Sequence, residues 1–127
     1  GSETPSRVSE LKARTGKSVM KVIKVARAED VEQGIAAYTD VADRLMFEPA
    51  DGILPGGNGK PFDWTILSGR KLVVPWILAG GLTPDNVAEA VRVTGAPAVD
   101  VSSGVESSRG VKSIELIRAF LDRVKAL

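Results

Sequence analysis

The sequence predicts an α/β protein in which parallel strands alternate with helices. Three observations predict it. Helix-start signals recur along the chain: Thr4-Pro5, Thr83-Pro84-Asp85 and Ser113 each place a capping hydroxyl ahead of a helical run. Strand-length apolar segments stand between the helical runs, at residues 19–25, 44–47, 73–79 and 98–101. The resulting order is a helix, then strand and helix four times over, which is the pattern of a parallel sheet.

Taken in order, Thr4 suits an N-cap and Pro5 the first helical position, where its missing N–H costs nothing; Val8 and Leu11 repeat at helical spacing and Gly16 stops the run. Residues 19–25 read as a short strand with two interspersed lysines. Residues 29–38 read as a helix with Val31, Ile35 and Ala36 on one face. Residues 44–47 form a short apolar strand running into Glu48 and a Gly/Pro-rich loop over 49–61, and residues 62–67 a short helical stretch with Asp63 near its start. Residues 73–79 are a continuous apolar run bounded by Gly80-Gly81, as expected of a strand covered on both faces. A helix is expected from Pro84 to Thr94, ended by Gly95, then a strand at 98–101 and a polar turn at 102–105. Ser113 caps the last helix, whose apolar face is Ile114, Leu116, Ile117, Phe120, Leu121 and Val124.

An open doubly wound sheet and part of a β/α barrel both fit this order. A whole barrel needs roughly 250 residues, so a 127-residue chain matches about half of one. A single domain over residues 1–127 is expected, with 43% hydrophobic and 26% charged residues as in ordinary globular proteins. No apolar run approaches the ~20 residues of a membrane span, and no secretory leader is recognised, so a cytoplasmic protein without a membrane partner is expected. The net charge of +1, with scattered Lys and Arg, gives no electrostatic case for nucleic acid. Cysteine and histidine are absent, which removes thiolate chemistry and the commonest general base near neutral pH. Chemistry done by this chain rests on carboxylates, lysine, hydroxyls and backbone dipoles.

Three loops that follow strands carry the informative residues, and in parallel α/β folds such loops share one face. Gly80 and Gly81 let an anion approach the backbone closely beside a helix start; the alternative is a tight turn with no ligand. Asp100 lies in a strand expected to be buried, where a carboxylate needs a partner or a task. Ser103 and Gly104 offer amides that could complete a phosphate cup beside Gly81; the alternative for Asp100 is a structural acceptor. Glu48 sits where strand becomes loop, a position that reads as catalytic in barrels, where its carboxyl could act as a general acid; Gly56-Gly57-Asn58-Gly59 follow and could close over a substrate. A surface glutamate and an idle loop are the alternative. The glycine run is not a Walker A loop, because it lacks the Lys-Ser/Thr ending.

These motifs together resemble phosphoribosylanthranilate isomerase, an enzyme family of tryptophan biosynthesis. The resemblance rests on LPGGNGKPFDW at residues 54–64, AGGLTPDNV at 79–87 and VDVSSGVESSRGVKS at 99–113, and extends through ETPSRVSEL and VMKVIKV. It implies the C-terminal half of a (βα)8 TIM barrel. It also implies an Amadori rearrangement of N-(5-phosphoribosyl)anthranilate to a 1-deoxyribulose phosphate, with no cofactor and no metal. The phosphate would rest on the backbone of Gly80, Gly81, Ser103 and Gly104. Asp100 falls on the family's last-strand aspartate near the ribose hydroxyls, and Gly57, Asn58 and Gly59 would cover the substrate. Two departures stand out. The family's general acid is an aspartate where this chain has Glu48, and the family's base is a first-strand cysteine, whereas this chain has none. The isolated chain is therefore expected to be inactive. Its partners are expected to be the phosphorylated sugar–anthranilate substrate and either a missing N-terminal half barrel or a second copy, joined through open sheet edges. The competing readings are a non-catalytic phosphate-binding half barrel and another phosphosugar barrel such as indole-glycerol-phosphate synthase; LPGGNGKPFDW argues against the latter.

Overall fold

Helix α1 (Pro5–Thr15) starts as its sequence suggests: the Thr4 hydroxyl accepts from the Arg7 amide at 3.3 Å, and Gly16 ends it in a left-handed conformation. The computed structural model describes residues 1–50 and 63–127. Within them follow β1 (Met20–Val25), α2 (Ala28–Tyr38), β2 (Arg44–Pro49), a 3₁₀ turn (Trp64–Leu67) and β3 (Trp76–Leu78). After these come α3 (Val87–Thr94), a second 3₁₀ turn (Ser103–Val105), a small hairpin of β4 (Glu106–Ser108) and β5 (Val111–Lys112), and α4 (Ile114–Lys125).

β1, β2 and β3 pair in parallel and in sequence order, and a single parallel bridge adds Val99 beside Leu78. Side chains alternate between the two faces of each strand. Ile23, Val25, Leu45, Phe47, Trp76 and Leu78 point to one face and share a core with Val8, Val31, Val87, Ala90 and Phe120 of the four helices. Phe47 meets Trp76 edge-on there, with ring centroids 5.7 Å apart. Met20, Val22, Met46 and Ile77 point the other way and lie outside that core. Helices on one face, and strands in chain order without reversal, decide against a doubly wound sheet and for a segment of a β/α barrel.

The two lysines of β1 separate by face. Lys21 is buried on the helix side, its Nζ 3.2 Å from Glu3 and 4.9 Å above the Tyr38 ring. Lys24 is exposed on the open face. Asp43 ties three elements together: one carboxylate oxygen accepts from Lys12 of α1 at 2.7 Å, the other from the Val19 amide ahead of β1 at 2.8 Å. These two bonds hold its carboxyl below the usual range, the Lys12 ammonium foremost.

Several expectations shift. The strand expected at 73–79 is shortened to Trp76–Leu78, because Pro75 has no N–H to give the ladder; its carbonyl accepts from the Leu45 amide, and Val73 is 92% exposed. The strand expected at 98–101 is reduced to the one bridge at Val99. The helix expected from Pro84 begins at Val87, because Asn86 Oδ1 accepts from the Thr83 amide and holds residues 83–86 as a turn. On α2 the buried face is Val31 and Gly34, with Ala36 exposed; a Cβ on Gly34 would stand 2.7 Å from Ile23, so the helix can lie close to β1 only there. On α4 Phe120 is buried, but Ile114 and Leu121 are 63% and 48% exposed. The β4–β5 hairpin was not anticipated; Gly110 makes its turn at φ 80°. Among the described residues no helix is long and apolar enough to cross a membrane.

Replacing Asp43 with alanine should lower the thermal midpoint at pH 7. Because its folded-state pKa is depressed, the stabilisation is present above the ordinary carboxylate range and is lost as pH falls through the folded value. Thermal melts at pH 7 and pH 3 check this: the gap between wild type and Asp43→Ala should narrow at the lower pH.

Candidate functional site

The pairing register builds the site. Lys24 lies opposite Glu48, and the aligned residues Phe47, Leu78 and Val99 put Glu48, Ala79 and Asp100 one step further along their strands. The bonds from the Ala79 amide to the Phe47 carbonyl (2.9 Å) and from the Asp100 amide to the Leu78 carbonyl (2.9 Å) carry the register to the strand ends. Lys24, Glu48, Ala79 and Asp100 therefore form one row on the open face, at the end where the following loops leave.

Two glycines draw those loops together. A Cβ on Gly80 would stand 2.2 Å from Pro49 Cδ, so only glycine, here at φ 87°, lets the turn after β3 close against the end of β2. A Cβ on Gly104 would stand 1.7 Å from the Leu82 carbonyl oxygen, so the turn after Asp100 rests directly on the turn after β3. Between them lies a cavity of about 110 Å³ lined by Glu48, residues 79–82 and residues 100–104. A water's share of liquid is about 30 Å³ and pockets for drug-sized ligands begin near 300 Å³, so this space suits one small polar group. Among the described residues the amides of Gly81, Ser103 and Gly104 donate to no backbone acceptor. A larger hollow of about 570 Å³ lies between α2 and the first 3₁₀ turn, but neither Glu48 nor the two glycine turns line it.

Side chains brace both turns. Asn86 donates to the Gly81 carbonyl at 3.0 Å while accepting from Thr83 at 2.8 Å. Lys112 donates to the Ser102 carbonyl at 2.9 Å and to Glu106 at 2.6 Å. The Lys112 ammonium, then the Gly110 amide, hold the Glu106 carboxyl below the usual range. Glu48 is paired with Lys24 at 2.9 Å, their side chains 29% and 44% exposed.

The candidates Glu48, Gly80, Gly81, Asp100, Ser103 and Gly104 thus meet around one cavity. Gly57, Asn58 and Gly59 lie outside the described residues. Asp100 differs from expectation in being exposed rather than buried: it lies on the face opposite the helix-packed core, and among the described residues no helix packs over it. Sequence reasoning overlooked Lys24, Asn86 and Lys112; the strand alternation that turns Lys24 away from Lys21 was the only available signal. Among the described residues no cluster of three or more His, Cys, Asp or Glu could hold a metal ion.

Strand order, one-sided helices and a small cavity at the strand ends define a β/α-barrel protein. The model of the N-(5'phosphoribosyl)anthranilate (PRA) isomerase family matches residues 1–123, and the chain belongs to that family. The N-(5'-phosphoribosyl)anthranilate isomerase of Paracoccus denitrificans (strain Pd 1222) is 55% identical over 129 aligned residues, covering 99% of this chain and 60% of the relative. Among solved structures, phosphoribosyl anthranilate isomerase from Thermotoga maritima is 29% identical with a TM-score of 0.83, covering 100% of this chain and 60% of that one. An isomerase in complex with reduced 1-(o-carboxyphenylamino)-1-deoxyribulose 5-phosphate is 30% identical with a TM-score of 0.79, covering 100% of this chain and 57% of that one. The chain spans about 60% of the length of the curated relatives it matches. The expected barrel half is borne out by these neighbours and by the sheet order.

Gly104→Ala should force the two turns apart. The expected outcome is a stability loss of about 1–3 kcal/mol by denaturant melts, with amide chemical-shift changes centred on residues 80–83 and 102–105. Shifts scattered elsewhere, or none, would mean that the two turns are not in direct contact.

Proposed function

We propose that this chain supplies the phosphate grip and the general acid of an isomerase that converts N-(5'-phosphoribosyl)anthranilate to the 1-deoxyribulose phosphate in tryptophan biosynthesis, in the cytoplasm. The observation that carries this reading is the single small cavity shared by Glu48, Asp100 and the two glycine turns. The relatives' shared name supports it, as does the neighbour solved with a reduced deoxyribulose 5-phosphate compound.

In this reading the phosphate accepts hydrogen bonds from the amides of Gly81, Ser103 and Gly104, with Gly80 shaping the turn that presents them. Glu48 donates a proton to the furanose oxygen, the bond from that oxygen to C1 breaks, and the anthranilate nitrogen lone pair forms the C1=N bond. Asp100, exposed in the same row, orients the ribose hydroxyls. The base that takes the C2 proton comes from outside this chain, which has neither cysteine nor histidine. No cofactor is required. The partner is a complementary N-terminal half barrel or a second copy; the further length of the curated relatives supports the former.

The second reading, a phosphate-binding half barrel without catalysis, is favoured by the absent base alone. Adding the portion of the Paracoccus denitrificans relative that this chain does not span separates the two. The expected outcome is isomerase turnover by the assembled protein, lowered about 10²- to 10⁴-fold by Glu48→Gln. Turnover indifferent to Glu48→Gln would remove Glu48 as the acid, and no turnover at all would leave the binding module.

A further inference from the structure

We propose that Lys24 is a positioning residue for Glu48, holding its carboxyl at the cavity and taking up the charge it acquires when it gives up its proton. The inference rests on the isomerase reading and deepens it. Lys24 and Glu48 are register partners on adjacent strands, on the open face, with Nζ 2.9 Å from Oε1. Glu48 lines the cavity that Gly80, Gly81 and Gly104 close. A glutamate carboxyl sits at the end of a flexible side chain, so it needs an external restraint to stay in place. The ammonium of the neighbouring strand is such a restraint. A half-exposed pair of this kind adds little to folding stability.

The step balances on these atoms. The Glu48 O–H bond breaks and its proton bonds to the furanose oxygen. That oxygen keeps the electron pair of its broken bond to C1, and the nitrogen lone pair makes the C1=N double bond. Glu48 is left as a carboxylate, and its new negative charge faces the Lys24 ammonium, a charge-assisted contact stronger after the transfer than before it. The contact therefore acts on the chemical step more than on substrate binding.

The test uses the chain assembled with the complementary portion of the Paracoccus denitrificans relative. Lys24→Met should lower kcat by roughly 10- to 100-fold, the scale of one lost hydrogen bond to a charged group, with KM changed less than about twofold. Lys24→Arg should recover most of the rate. In a Glu48→Gln background Lys24→Met should have almost no further effect, because its partner's proton is already gone. A thermal midpoint unchanged by Lys24→Met would separate this role from a structural one. If wild type turns over and Lys24→Met retains its kcat, or if its effect is undiminished in the Glu48→Gln background, the inference fails while the isomerase reading stands. If the wild-type assembly does not turn over, both fall together.

Discussion

Two glycines let the backbone lie directly against its neighbours at the strand ends, and the rest of the site depends on it. Gly104 sits on the Leu82 carbonyl where a methyl group would be 1.7 Å from oxygen, and Gly80 sits on the Pro49 ring where it would be 2.2 Å from carbon. Any side chain at either place pushes a turn outward by more than packing can absorb. With both glycines present, the ends of β2 and β3 and the bridge strand close to a cavity small enough for one phosphoryl-sized group. Glu48 and Asp100 reach its rim because the parallel register delivers them to the same row.

The sheet divides the chain's labour by face. One face is sealed by four helices around Phe47, Leu45 and Leu78, each fully buried, and burying such a side chain stabilises by about 1.5–3 kcal/mol. The other face carries Val22, Met46 and Ile77 outside that core, and above them the charged row of Lys24, Glu48 and Asp100. A chain spanning about 60% of its relatives' length keeps both glycine turns and the cavity between them. Asn86 and Lys112 hold the two turns from within the chain, so the shape of the cavity is set locally.

Much of this was legible in the residues because the signals were local. Thr4 and Ser113 cap their helices as their chemistry dictates, and Gly16 and Gly95 end theirs. The two glycine turns could be placed on one face because strands followed by helices force their loops to one end. What was not legible depended on contacts between distant residues. The apolar run 73–79 reads as a strand, but the pairing starts only at Pro75, whose carbonyl reaches Leu45. Thr83-Pro84 reads as a helix start, but the Asn86 side chain holds that turn apart from the helix. Asp100 was expected to be buried from the apolar residues beside it, whereas its exposure is decided by which face the helices leave open. Lys24 differs from Lys21 only by parity along a strand, and parity means nothing until the covered face is known.

The most direct test of the proposed phosphate grip is a crystal structure of the chain soaked with inorganic phosphate. The expected result is an anion with oxygens about 3 Å from the amides of Gly81 and Gly104, seated between the two turns beside Ser103. An anion bound only elsewhere on the surface, with these amides turned away from each other, would contradict it.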